Sequence, residues 1–295
     1  MSTTAQSLKD LRPEKEFFIG IDSDGCAFDT MEPKHKECFC PTTIWKWNLE
    51  AVSKYAREAW DFVNLYGKSR GCNRFLALLQ VLDCLRERPE VLARHVEIPH
   101  LPSLRSWVER ETALGEPALG SEVERTGDAE LERCLDWSRA INETVRRIVR
   151  HVPPFPGVRE ALEKGAPRAD MIVVSQTPIE ALEREWKLHD LSKFVRAIAG
   201  QECGKKSEHI EYAAKDKYPP EKTLMIGDAY GDMKAAKAND ALFYPVLPGR
   251  EEESWKRFHE EALERFFAGT YAGSYEAELA AELDRALPEA PPWTE

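Results

Sequence analysis

A chain of 295 residues that is 42% hydrophobic and 32% charged is long enough for one large core or two smaller ones. Its formal net charge of −11 argues against a nucleic-acid or membrane-surface binder, which needs a basic face. A small anionic partner stays open, because a local cation can reverse the field in a site.

The N-terminal 15 residues are polar and mixed in charge, unlike a signal peptide, and no stretch approaches the roughly 20 apolar residues of a membrane span. Seven cysteines without paired spacing read as free thiols of a reducing cytoplasm. The run Phe17-Phe18-Ile19-Gly20-Ile21 reads as a buried parallel strand, and it ends in Asp22-Ser23-Asp24-Gly25. A turn at Gly25 leaves both carboxylates at the carboxyl edge of a sheet, where open α/β sheets bind ligands. Two acids so close repel unless a cation or a shared proton lies between them.

From Met31 to Val152 the pattern is helical. Leu49, Val52, Ala56, Ala59, Val63 and Tyr66 form one apolar stripe. Phe75, Leu78, Leu79, Leu82 and Leu85 form a second, and Leu131 to Val152 mark a third helix. Breaks are expected at 67–71 and across the Gly- and Pro-containing stretch 114–127. His35-x-x-Cys38-x-Cys40 has no second ligand pair at zinc-site spacing, so a metal role there is disfavoured.

Strands return with Met171-Ile172-Val173-Val174, which ends in the hydroxyl of Ser175. Gly204-Lys205-Lys206-Ser207 then places an ammonium before a helix, with Ser207 as the expected N-cap. Lys206 is preferred to Lys205 because Ile210 then falls on a buried helical face. Thr223-Leu224-Met225-Ile226-Gly227 is a further strand ending in Asp228, and Asp232 follows in the first turn of a helix. Phe243-Tyr244-Pro245-Val246 reads as a last strand near an edge, with helices over 251–267 and 275–287 beyond it. Carboxylate pair, hydroxyl, lysine and second carboxylate pair, each at the mouth of an element, make a site for a divalent cation and a phosphate. Taken singly, Ser175 could cap a helix, Asp232 could answer a helix dipole, and both lysines could be solvated.

In this order the motifs resemble the haloacid dehalogenase superfamily of phosphotransferases. Asp22-Ser23-Asp24-Gly25-Cys26-Ala27-Phe28-Asp29-Thr30 is similar to the first family motif, with Cys26 where Thr is usual. Ser175 closes the second motif, Lys206 or Lys205 supplies the third, and Gly227-Asp228-x-x-x-Asp232 is the fourth. The resemblance implies a doubly wound parallel α/β sheet, Rossmann-like, with an inserted helical cap and a C-terminal helical extension. On that reading 1–30 and 153–250 form the core, 31–152 the cap, and 251–295 an extension packed on the core.

The resemblance also implies roles. Asp22 is the expected nucleophile and Asp24 the general acid/base. Ser175 and Lys206 bind phosphate, and Asp22, Asp228 and the main chain of Asp24 hold Mg²⁺, with Asp232 in support. Arg70 and Arg74, beside a glycine at a helix–helix turn, are candidate specificity groups of the cap, although a solvated turn reads equally well. The expected reaction is Mg²⁺-dependent hydrolysis of a small phosphorylated metabolite. A phosphomutase is the alternative, and a catalytically silent binding protein a more distant one. No nucleic-acid or membrane partner is expected, and the sequence sets no oligomeric state.

Overall fold

The computed structural model describes residues 3–294, and the chain divides into two compact units. One comprises 1–30 and 151–287; the other comprises 31–150 and 288–295, with the two outermost residues at the N-terminus and the last at the C-terminus outside the description.

The first unit is built on a five-stranded parallel sheet. Its strands are β1 (Phe17–Ile21), β2 (Ala169–Val174), β3 (Ala197–Ala199), β4 (Thr223–Gly227) and β5 (Leu242–Pro245). They lie in the order β3-β2-β1-β4-β5. Every residue of β1, β2 and β4 is buried, as the unbroken apolar runs require of strands covered on both faces. Successive side chains alternate between two cores. Phe17, Ile19, Met171, Val173, Leu224 and Ile226 enter one, and Phe18, Ile172, Val174 and Met225 enter the other. The first core is covered by Val158 and Leu162, by Leu182 and Trp186, and by Trp255, Phe258, Leu263 and Phe266 from beyond β5. The second is covered by Ile210, Ala213 and Ala236, with Leu8 and Leu283 from the two ends of the unit. The sheet is thus doubly wound. Pro245 lies in an edge strand, where a missing N–H costs no ladder bond.

Strand order fixes where chemistry can occur. The chain winds outward from β1 through β2 to β3, then returns to the other side of β1 as β4 and β5. β1 and β4 therefore flank the switch in winding direction, the crevice where open sheets take ligands at their carboxyl ends. Ile21 pairs with Ile226, and Asp22 N–H donates to the Ile226 carbonyl at 2.9 Å. The residues that follow β1 and β4 thus emerge side by side.

The second unit is all helical, with long elements at Ser53–Asp61, Arg74–Glu87, Pro102–Arg110, Glu116–Thr126 and Ala129–Ile148. Its own core gathers Trp60, Phe75, Leu78, Trp107, Trp137 and Ile141. The helix Glu116–Thr126 occupies the stretch expected to be a break. Its Pro117 sits in the first turn, where no N–H is needed, and Gly127 at φ 63° closes its C-terminus. Residues read as breakers are therefore this helix's ends. Residues 251–287 belong to the sheet-bearing unit, whereas 288–294 belong to the helical one, so the expected extension is divided. Trp293 accounts for the division: it meets Phe62 edge-on and stacks on the Arg88 guanidinium.

Candidate active site

Asp22 follows β1 and is buried, with 4% of the residue exposed. Ser23 N–H donates to its Oδ1 at 2.8 Å, while its Oδ2 lies 2.7 Å from Lys206 Nζ. The same ammonium donates to Asp232 Oδ1 at 2.7 Å, so Lys206 bridges two carboxylates that arise 210 residues apart in sequence. Asp232 is fully buried in the first turn of the helix Tyr230–Lys237, and its Oδ2 accepts from Ala229 N–H at 3.2 Å. Asp228, buried after β4, completes the set: carboxylate oxygens of Asp22, Asp228 and Asp232 all lie within 4.8 Å of one another. Gly227 permits this crowding. A Cβ there would fall 2.6 Å from Asp232 Oδ2 and overlap the rest of that side chain.

Lys206 opens the helix Lys206–Ala214, so Lys205, not Ser207, is its N-cap residue. Glu208 explains the difference, because its Oε2 accepts from Lys205 N–H at 2.7 Å and leaves Ser207 inside the first turn. Ser175 is buried after β2; its N–H donates to the Ala199 carbonyl at 3.0 Å and its Oγ accepts from Thr177 N–H at 3.2 Å. Gln176 Nε2 donates to the Gly204 carbonyl at 2.9 Å, tying the loop after β2 to the loop that carries Lys206. Asp24 stands apart from the triad of acids. One of its oxygens accepts from Thr177 Oγ1 at 2.6 Å and the other accepts from Thr30 Oγ1.

The electrostatics of the cluster point to a missing positive charge. Burial pushes the Asp22 carboxyl well above the usual range, and Asp232 and Asp228 push the same way against Lys206. Burial likewise raises Asp232, opposed by Lys206. Burial acts to lower Lys206, but Asp22, Asp232 and Asp228 outweigh it and hold the ammonium charged. Were all three carboxylates ionised, Lys206 would leave two negative charges in a buried space, which a divalent cation would balance. The donors are all hard carboxylate oxygens, the set that suits Mg²⁺. The residues present therefore fit such an ion.

The remaining expected groups belong to the helical unit. Arg70 is buried and its Nη1 donates to the Leu65 carbonyl at 2.7 Å. Arg74 donates to Ser138 Oγ at 3.0 Å and to Asn142 Oδ1 at 2.8 Å, with its guanidinium over the Phe39 ring. These contacts lie within the helical unit, where a buried guanidinium spends donors on nearby oxygens. Cys38 and Cys40 are buried in that unit's core, and His35 Nδ1 accepts from Trp60 Nε1 at 3.1 Å. Among the described residues, Asp22, Asp228 and Asp232 are the group placed to hold a metal ion. Thr30 enters the sequence reading only as the last residue of the first motif, and Thr177 does not enter it. Thr177, two residues past Ser175 at the same sheet edge, could have been found by looking one step beyond the motif.

Residues 117–244 match the family model described as haloacid dehalogenase-like hydrolase. That stretch carries Ser175, Lys206, Asp228 and Asp232; Asp22 and Asp24 precede it. No curated protein sequence matches. Among solved structures, the chain is similar to a haloacid dehalogenase-like family hydrolase from Xanthomonas campestris, at 15% identity and a TM-score of 0.48, over 88% of this chain and 95% of that one. It is also similar to a haloacid dehalogenase-like hydrolase from Streptococcus pneumoniae, at 12% identity and a TM-score of 0.46, over 83% of this chain and 91% of that one. Likenesses this remote say nothing about substrate.

Proposed function

We propose that this chain is a haloacid dehalogenase-like hydrolase, a Mg²⁺-dependent phosphatase that acts on a small phosphorylated substrate through Asp22 and Asp24. One observation carries the reading: Asp22, Lys206, Asp228 and Asp232 converge in a buried cluster at the sheet's switch point, with Asp24 two residues from Asp22.

Asp22, Asp228 and the main chain of Asp24 would hold the ion, with Asp232 anchoring the lysine. When bound, Mg²⁺ would neutralise the cluster and draw a phosphate monoester into it. Asp22 then attacks phosphorus: an O–P bond forms to its carboxylate while the bond to the ester oxygen breaks. Asp24 delivers its proton to that departing oxygen, and the product leaves as an alcohol. In the second half Asp24 takes a proton from water as the water oxygen attacks phosphorus, inorganic phosphate leaves, and Asp22 is restored. Lys206 and Ser175 bind the transferring oxygens, Lys206 as a fixed charge that needs no reorganisation. The two hydroxyls that donate to Asp24 hold its carboxylate in place between these steps.

These core groups read only phosphate and cation, so selection of the remainder of the substrate falls to residues outside the cluster. The test is hydrolysis of a generic aryl phosphate. Release of inorganic phosphate should require Mg²⁺, stop on chelation, and vanish in Asp22→Asn, which keeps the shape of the side chain without its nucleophile. Turnover that survives excess chelator, or a folded Asp22→Asn protein that still turns over, would exclude the mechanism. An isomerised phosphate ester in place of free phosphate would identify a mutase.

A further inference from the structure

The loop that carries both proposed catalytic acids is short, buried and closely hydrogen-bonded. Its carbonyls can be followed one at a time, since a buried backbone oxygen without a donor is costly. Ser23 C=O accepts from the N–H groups of Ala27 and Phe28, Phe28 C=O from Gly25 N–H, and Ala27 C=O from Phe155 N–H. Cys26 C=O, by contrast, is served by a side chain from a distant part of the chain. Trp255 Nε1 donates to it at 2.7 Å. A second indole reaches the same loop from another element: Trp186 Nε1 donates to Ser23 Oγ at 3.0 Å. Both tryptophans and both of the residues they hold are fully buried.

The surroundings are shaped to allow this. Trp186 lies on the helix Ile179–Leu188 and also meets the Phe28 ring edge-on. Trp255 lies on the helix Glu251–Arg257, beyond the last strand. The returning segment passes so close to it that a Cβ on Gly157, at φ 92°, would sit 3.2 Å from Trp255 Cβ. An indole is a rigid donor with a single N–H, so it fixes its acceptor in direction as well as distance. Gly25, at φ 75°, lies between the two held points and is the place where the loop would otherwise turn freely.

We propose that Trp255 and Trp186 are positioning residues for the catalytic loop, and that the C-terminal extension, through Trp255, is part of the catalytic apparatus. Without the Trp255 donor, the Cys26 carbonyl is buried and unpaired, and the peptides on either side of it can rotate to seek another partner. That rotation moves the main chain and carboxylate of Asp24 relative to Asp22. The effect on turnover rests on the phosphatase reading; the effect on the loop does not.

The decisive comparison is Trp255→Phe against Tyr271→Phe in the full-length protein. Tyr271 lies in the same extension, is as deeply buried, and donates to a backbone carbonyl, that of Phe243, at 2.7 Å. Its loss costs a comparable hydrogen bond without touching the loop. Both variants are followed by thermal melting, by hydrogen–deuterium exchange of the peptide covering 22–28, and by kcat and KM for an aryl phosphate. Trp255→Phe should exchange faster in 22–28 and lose about ten- to a hundredfold in kcat, the scale set by small misplacements of reacting groups. Its KM should stay within about twofold of wild type, as expected when only transition-state interactions are lost. Tyr271→Phe should melt earlier but keep kcat and loop exchange. Unchanged exchange in Trp255→Phe, or equal kcat losses in the two variants, overturns the proposal. If the wild type hydrolyses no aryl phosphate, the phosphatase reading fails, and faster exchange in 22–28 alone still supports the positioning of the loop. Should Trp255→Phe not fold, Trp186→Phe is judged by the same criteria against the same control.

Discussion

Asp24 is the residue whose surroundings say most about its work. Both of its oxygens accept from threonine hydroxyls, which fix the direction of the carboxyl group. Asp24→Asn should leave the acid cluster intact and lower kcat by about 10²–10⁴-fold for every phosphoester, the usual worth of a positioned acid/base. Single-turnover kinetics would check this, and equal loss of metal binding would contradict it. His209 is a second informative residue. It is fully buried one turn beyond Lys206, and neither ring nitrogen makes a hydrogen bond of good geometry, although the Gly204 and Gly200 backbone lies close by. Burial, aided by Lys206, pulls it down to about 4, against the opposing influence of the nearby backbone of Gly204 and Gly200. A histidine lowered on folding stabilises the fold fully above its unfolded value and loses that contribution as pH falls toward the folded one. Between pH 6.5 and 4 the loss should reach about 3 kcal/mol. Denaturant melts of wild type and His209→Leu across that window should diverge by this slope; parallel curves would show that His209 titrates normally. The acids, the lysine and the serine could be singled out in the sequence because each stands at the mouth of a strand or helix. His209, Trp186 and Trp255 could not, because their meaning lies in partners that only the fold brings near.

At the scale of elements, the sequence announces strands better than helix ends. β1, β2 and β4 are readable because strands buried on both faces leave continuous apolar runs. The helix Glu116–Thr126 was hidden because Pro117 and Gly127 act as punctuation in either direction, ending one element or bounding another. Close packing between elements was equally silent, and Gly227 shows its weight. The last residue of β4 lies against Asp232 of the following helix, whose carboxylate is held by Lys206 and Ala229 N–H and cannot swing aside. Gly227→Ala should therefore cost about 1–3 kcal/mol, as overpacking does, and should disable the site by displacing Asp232. Gly20→Ala in β1 is the comparison: its Cβ would lie 3.0 Å from the flexible Met225 Sδ and 3.2 Å from Val174 Cγ2. It should be milder in stability and lose little activity. If the two alanine variants are equally active, Asp232 does not need its observed place.

For the molecule as a whole, the acid cluster is a debt held at the centre of an otherwise well-packed sheet. No helix among the described residues is long and apolar enough to cross a membrane, and the cores on both faces of the sheet are closed. Stability should therefore respond to conditions mainly through the buried charges. Asp22 and Asp232 are raised on folding, so the metal-free fold binds their protons more tightly than the unfolded chain does. Their contribution is stabilising at acid pH and is lost as pH rises from the ordinary carboxylate range through the folded values. Mg²⁺ requires the deprotonated acids, so its binding acts in the opposite sense and grows stronger as pH rises. At a concentration about a hundredfold above its dissociation constant, the ion should add about 2.7 kcal/mol to the stability of the fold. Thermal melts with Mg²⁺ and with chelator should thus separate little near pH 5 and widely near pH 8. Asp228→Asn, which removes one ligand and one of the repelling charges, should narrow the gap at the higher pH while raising the midpoint in chelator. A Mg²⁺ effect that is the same at both pH values, or that survives unchanged in Asp228→Asn, would place the ion somewhere other than this cluster.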